Sequence, residues 1–559
     1  MDSSEDYENS PESSDCDRNP SPPPELTENP DLLLAESVGN TAFSKHWLFT
    51  TLIKLIEEVD KENDADSDLA VDVDEELQTE LCKLWDMSMN SDVAKFLNEF
   101  KAIEILSGII DKSKAPRVIE ISVGILGNMA CEKSVCKEMA DNAKFIQLVL
   151  LLMETRDVPT LVESTRLIYT SLSDTSSRDI WINAIQRSED FLNHLMFIFS
   201  SSTNCYLLKN SAELVDILLD HEPNLCVSWA TDDFIHSLLE ATDQIGSGHT
   251  EALEVYLHIF QSFSTSEPGV EALVSHIDRL EMKIIKYLNI VCEHEIVGLD
   301  GKEEPLASAL SVLHISLTSR SNDKLEQLFS DEKIIRILLK ILEPLYPMLQ
   351  KYKAAAAEKN STDKKRGKDI NVSESDQNEG KVSEDSGSQD VDEETMELRQ
   401  LEMLYGILSA FLLEYCSFAF NYLQEKTKVD NQPTVEQSSN KDEENKCEEK
   451  SNDSGDAAAT NVTEVSTGDN TIKQDDSQSA DKDNVRILTY LDEACSRWRI
   501  NNLALTLKES AAGKTLLDQL LRLSKQFGKE RLCRILTDVN SGRIVNRAES
   551  TRDFDENTT

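Results

Sequence analysis

SKAPRVIEISVGILGNMAC, residues 113–131, is apolar on nearly every side of a helix. Val118, Ile119, Val123, Ile125, Leu126, Met129 and Ala130 recur at three- and four-residue spacings, with Ile121 on the opposite face. That pattern belongs to a helix enclosed by others. Pro116 suits a first helical turn, where its missing N–H costs nothing. Gly124 and Gly127 each give up about 1 kcal/mol relative to alanine inside a helix, and so predict a neighbouring backbone in close approach.

The same plan, a breaker and then a buried apolar helix, returns at 158–172, where Pro159 and Leu172 stand 43 residues beyond Pro116 and Met129. Further copies at 203–218, 247–260 and 305–317 follow at offsets of 46, 42 and 57 residues, the last lengthened by a polar loop at 297–304. A helical period of about 40–47 residues is that of armadillo and HEAT repeats. Second helices are predicted between the copies, at 143–153, 191–199, 234–239, 277–291 and 334–342. Each repeat is thus expected to be a helical hairpin that buries its apolar face only against its neighbours. The expected fold class is all-α, an armadillo/HEAT-like α-solenoid with long disordered acidic insertions.

The chain has 559 residues, 39% hydrophobic and 29% charged, with a formal net charge of -48. Residues 1–40 read as a disordered acidic Ser/Pro-rich tail containing NPSPPP at 19–24. The repeats occupy 41–345, opened by FSKHWLF at 43–49 and interrupted by an acidic linker at 57–80, either solvated or a lip that receives a basic peptide. Asp92 is the expected N-cap before Val93. A disordered insert follows at 354–392, then a solenoid helix at 396–423 with Leu401, Leu404, Leu408, Phe411 and Leu412 as its stripe. A second acidic insert covers 424–484, a locally basic helical cap 485–540 and a disordered tail 541–559. Such inserts cannot bury enough apolar surface to offset about 1–2 kcal/mol per residue of backbone entropy. Looping them out of a stack costs little.

Net negative charge of this size argues against phosphate backbones as the main partner and favours proteins with basic segments. Eleven cysteines are spread singly without a C-x-x-C, and the acidic N-terminus has no apolar core. Reduced thiols in the nucleus or cytosol are expected. The apolar stretch 401–423 carries Glu402 and Glu414, which favours a buried helix over a membrane span. Gly513-Lys514-Thr515 matches the end of a P-loop, but Lys508 stands where its first glycine belongs and no strand is predicted before it. Cys292-Glu293-His294-Glu295 is too tightly spaced for a tetrahedral metal site. No catalytic, metal or cofactor residue, and no cofactor, is therefore predicted. Lys364, Lys365, Arg366 and Lys368 form the one concentrated basic run, a nuclear localisation signal or part of a charged linker.

The blocks DRNPSPPP (17–24), FSKHWLF (43–49), LWDMSMNSDVAKFLNEF (84–100), SKAPRVIEISVGILGNMAC (113–131), VPTLVESTRLIYTSLS (158–173) and SSSTNCYLLKNSAELVD (200–216) resemble the serum amyloid A-like family. The resemblance is close over about 40–345 and looser elsewhere. It implies a nuclear, non-enzymatic armadillo-type protein that promotes cell proliferation in inflammatory settings, and it brings no catalytic or ligand residue with it. VGILGNMA also resembles the third helix of an armadillo repeat, where a recurring asparagine clamps an extended peptide. Asn128 would be that residue, yet the repeat offsets place Ser171, Ile217, Ile259 and Ser316 at the equivalent positions. Without an asparagine ladder, Asn128 is either a capping hydrogen bonder or a lone clamp.

The expected function is a protein–protein interaction scaffold. It would be nuclear, with the cytoplasm as a second location, and monomeric, without nucleic acid or membrane as partner. Glu120, Asn128, Glu163, Arg166 and Lys209 are the groove candidates. The alternatives are an obligate subunit of a larger nuclear complex and an enzyme built on paired carboxylates.

Overall fold

The computed structural model describes residues 37–39, 41, 43–64, 73–246, 248–293, 298–299, 301–319, 332–366, 387–430 and 486–543. The readings made for 1–36, 367–386, 431–485 and 544–559 lie outside the described residues. Among these residues there is no strand, only an isolated bridge between Ser37 and Ser44. The fold is an all-α solenoid. The chain divides into two compact units, Met1–Ile290 with Glu304–Ser316, and Val291–Glu303 with Leu317–Thr559.

The first unit opens with α1 (Lys45–Asp64) and α2 (Glu75–Met87), which pack together. Both reach into the stretch read as an acidic linker at 57–80. Val59 and Leu77 are buried, and Asp74 caps α2 by accepting from the Glu76 and Leu77 N–H groups. One apolar stripe outweighs the surrounding charge, because the acids sit on the exposed faces.

Repeats of three helices follow, not hairpins. The first is α3 (Ser91–Glu99), α4 (Ala102–Lys112) and α5 (Pro116–Met129); the second is α6 (Lys133–Asp141), α7 (Ala143–Leu151) and α8 (Val158–Ser173). Then come α9 (Arg178–Arg187), α10 (Phe191–Ser201) and α11 (Cys205–His221), followed by α12 (Leu225–Ser228), α13 (Asp232–Ile245) and α14 (Thr250–Phe263). The last is α15 (Glu267–Ser275), α16 (Ile277–Val291) and α17 (Glu303–Ser319). The first helix of each repeat runs for only four to ten residues, too few turns to leave a legible period. Asn90, not Asp92, caps α3, accepting from the N–H groups of Asp92 and Val93. Asn142, Asp157, Asn204, Thr231 and Ser266 cap later helices in the same way.

The third helices form the spine of this unit, with α2 against α5, α5 against α8, α8 against α11 and α11 against α14. Side chains on one helix are hydrogen-bonded to its predecessor. Asn210 Nδ2 donates to the Val162 carbonyl at 3.3 Å, the buried Tyr256 hydroxyl to the Leu208 carbonyl at 2.9 Å, and Ser308 Oγ to Gln261 Oε1 at 2.6 Å. The core behind the spine holds Phe145, Trp181, Phe191, Phe199 and Phe234, none more than 1% exposed.

Both glycines of α5 sit under a neighbouring side chain, which corrects the expectation of a neighbouring backbone. A Cβ on Gly124 would lie 2.2 Å from Cε2 of Trp85, and one on Gly127 would lie 3.0 Å from Nη2 of Arg166. The Trp85 clash is with a rigid ring and deep inside van der Waals distance, whereas the Arg166 contact needs a shift of only a few tenths of an ångström. Gly124→Ala is therefore expected to destabilise by about 1–3 kcal/mol through overpacking, and Gly127→Ala by clearly less. Urea denaturation of the two variants checks the order; equal midpoints would mean that Trp85 does not occupy this seat.

The second unit contains α18 (Lys333–Arg366), α19 (Gly387–Asp430) and α20 (Arg486–Thr489), which runs into a π-helical turn at Tyr490–Ala494. It ends with α21 (Arg497–Lys508), α22 (Ala511–Gln526) and α23 (Glu530–Asn540). The repeat boundary expected at 345 is not an end of helix: α18 continues through Pro344 and Pro347. Burial of Leu345, Tyr346 and Leu349 offsets the backbone hydrogen bonds the prolines remove. Beyond them, alanines at 354–357 and the following Glu and Lys carry helix propensity into the stretch read as an insert. The helix expected at 396–423 likewise begins at Gly387 and ends at Asp430. Helices α18 and α19 thus extend into parts of the stretches 354–392 and 424–484.

Within α19, Met396–Asn421 is long and apolar enough to cross a membrane, and half of its most apolar 18-residue window is buried. Leu401, Leu404, Leu408, Phe411 and Leu412 form its inward stripe, and α19 packs on α18 and α22. Several cations of the basic C-terminal region have structural partners. Arg499 Nε donates to Glu343 Oε2 at 2.6 Å, Lys508 Nζ to the Val539 carbonyl at 3.0 Å, and Arg531 to the Cys495 carbonyl at 2.9 Å. Lys529 pairs with Glu493 at 3.1 Å.

Candidate functional site

The spacing of the spine decides where the five groove candidates fall. Asn128 on α5, and Glu163 with Arg166 on α8, come together in one cluster with α2. Asn128 Nδ2 donates to the Trp85 carbonyl at 2.8 Å and to Ser88 Oγ at 3.1 Å. Its Oδ1 accepts from Arg166 Nη1 at 3.0 Å. Arg166 Nη2 also reaches the Gly124 carbonyl at 3.1 Å, and the guanidinium is held by Glu163 Oε2 at 2.6 Å.

Asn128 is 7% exposed, and both ends of its amide are engaged. Of the two roles open to it from sequence, its geometry is that of a capping residue, closing the C-terminal end of α2. The cluster ties three successive spine helices together. Glu120 stands apart and pairs with Arg117 on its own helix at 2.6 Å. Burial lowers and the Glu120 hydrogen bond raises the Arg117 pKa, with a net rise.

Lys209 lies on α11, among acids, 3.6 Å from Glu213 and 3.9 Å from Glu251 on α14. Beside it is a 310 Å³ recess lined by Cys205, Tyr206, Lys209, His249, Thr250 and Glu251. Tyr206 is 75% exposed there. A turn and more along α11, Asp216 Oδ1 is 2.7 Å from His258 Nδ1 of α14, and Asp220 completes a group whose ligand-type atoms all lie within 4.8 Å of one another. Burial pushes the Asp216 carboxyl up against the opposing pull of His258; the hydrogen bond to Asp216 pushes the imidazole up against burial. The face shared by α11 and α14 therefore carries Glu213, Asp216, Asp220 and Glu251 around Lys209 and His258.

This acidic face was missed in the sequence, although a signal existed. Asp216 and His258 are separated by the 42-residue repeat offset, and Asp216 and Asp220 by one helical turn. Lys364, Lys365 and Arg366 form the last residues of α18, while Lys368 lies outside the described residues. Of the nine described cysteines, five are buried. Burial raises Cys292 and Cys495 to about 11 and Cys416 to about 12, values at which thiols behave as small apolar groups rather than nucleophiles. Gly513 stands in the first turn of α22, which follows helix α21 rather than a strand.

A family model described as the SAAL1 C-terminal domain matches residues 191–541. The chain belongs to the SAAL1 family. The matched span begins at α10 and runs through the second unit to the end of α23. Protein saal1 of Danio rerio is 45% identical over 276 residues, covering 47% of this chain and 59% of that protein. Protein saal1 of Xenopus tropicalis is 39% identical over 300 residues, covering 49% and 64%. Protein SAAL1 of Homo sapiens is 35% identical over 364 residues, covering 59% and 76%. The chain thus spans about three-fifths of the length of the fish and frog SAAL1 relatives it matches. A homology model of the full-length AP-3 complex in an intermediate open conformation aligns over 88% of this chain and 95% of that chain with a TM-score of 0.19 and 9% identity, too low to bear on fold or function.

Proposed function

We propose that this SAAL1-family chain is a non-enzymatic interaction scaffold of the nucleus, and that its α11–α14 face receives a basic, extended segment of another protein. The observation that supports this most is the acidic face itself: four carboxylates on two adjacent spine helices, with an exposed tyrosine at one end. Charge of one sign on neighbouring helices steers a segment of opposite sign and fixes its register, and an exposed tyrosine is a favourable anchor at a protein interface. The Asn128–Arg166 cluster supplies rigidity instead of contact, since its polar atoms are bonded to other helices. The role in proliferation implied by the family resemblance would then run through the bound partner, without a membrane or nucleic acid in direct contact.

The test is fluorescence anisotropy of a labelled Lys/Arg-rich peptide with the full chain and with a Glu213→Lys/Glu251→Lys double variant. Binding is expected to weaken by at least about tenfold in the variant, and in the wild type as salt screens the exposed charges. Equal affinity for both proteins, or none for either, would overturn the reading.

A further inference from the structure

We infer that Asp216, Asp220 and His258 form a zinc site bridging α11 and α14. The three side chains come from two adjacent spine helices. Asp216 and Asp220, one turn apart, project from the same face of α11, and His258 meets them from α14. Their ligand-type atoms lie within 4.8 Å of one another, and the closest pair, His258 Nδ1 and Asp216 Oδ1, is 2.7 Å apart. Tetrahedral zinc with metal–ligand bonds of about 2.0–2.2 Å needs its donors roughly 3.3–3.5 Å apart. The closest pair lies inside that value and the rest within 4.8 Å of one another, so the donors reach it by side-chain rotation.

Asp220 is exposed and free to turn inward. Water would fill the fourth position. One imidazole nitrogen with two carboxylates suits zinc better than magnesium, which prefers six oxygens in an octahedron. On binding, His258 Nδ1 gives its proton to solvent and its lone pair to the metal. The hydrogen bond between His258 and Asp216 is thereby replaced by a coordination bridge.

The experiment uses the full chain stripped with chelator, titrated with zinc in a calorimeter, and with cobalt(II) as a spectroscopic stand-in. One equivalent is expected per chain, with the visible d–d bands of a tetrahedral site and no thiolate-to-metal band. His258→Gln should weaken binding by more than about 100-fold, beyond the 10–100-fold typical of losing an outer-shell partner. Asp220→Asn, at an exposed position that does not disturb packing, should weaken it by at least about tenfold. Absence of the d–d bands, a thiolate band assigning the metal to cysteines, or an affinity unchanged in both variants would overturn the assignment. Neither variant touches Glu213 or Glu251, so failure here leaves the basic-peptide test undecided by it.

Discussion

Asn128→Ala is expected to lower the unfolding free energy by about 3 kcal/mol. A hydrogen bond contributes about 0.5–1.5 kcal/mol net, and this substitution removes three. The Trp85 carbonyl and Ser88 lose the donor that closes α2, and Arg166 loses one of its acceptors. Water reaches the site poorly, because Asn128 is 7% exposed. Asn128→Asp should fall between, since it keeps an acceptor for the guanidinium but presents a second acceptor to the Trp85 carbonyl. The measurement is the urea midpoint of the three proteins. A midpoint in the alanine variant indistinguishable from wild type would mean that the amide is not stapling the helices, and would reopen the peptide-clamp role.

Gly513→Ala is expected to be comparably severe, at about 2–3 kcal/mol, in the second unit. A Cβ at 513 would stand 2.1 Å from the Leu507 carbonyl oxygen. The obstacle is backbone, so α22 would have to move away from α21, and Leu517 and Leu520 on its inner face would leave the core with it. Gly269 repeats the device in the first unit, with a Cβ position 1.9 Å from the Phe263 carbonyl oxygen. In both, a serine three residues earlier caps the helix by accepting from the glycine N–H. Gly108→Ala is the control: nothing lies within 4 Å of its Cβ position, so a gain of about 0.4–1 kcal/mol is expected there. Amide hydrogen exchange across 497–526 reads the local effect of Gly513→Ala. Protection equal to wild type would show that the two helices are not held at this distance.

The long spine helices were legible because they are apolar enough to leave a period, and their recurrence at 42–46 residues carried the fold class. The short first helices were not, since a segment such as Leu225–Ser228 has a single turn. Composition also misled where charge or proline masked an inward stripe. Val59 and Leu77 anchor helices in a run of acids, and α18 passes two prolines because its buried leucines decide the matter. At the candidate site, sequence placed Asn128, Glu163 and Arg166 on the right helices but left their partners unknown, because hydrogen bonds between repeats depend on register to within one residue. The acidic face needed the offset to be applied to aspartate and histidine as well as to apolar anchors.

The bonds linking Tyr256 to Leu208, Asn210 to Val162 and Arg166 to Gly124 each span one step of the spine. In the first unit, coupling of this kind is pairwise and local. Strain introduced by an occupant at one position would therefore fade over successive layers. Such a ladder suits independent docking stations better than a single long-distance trigger.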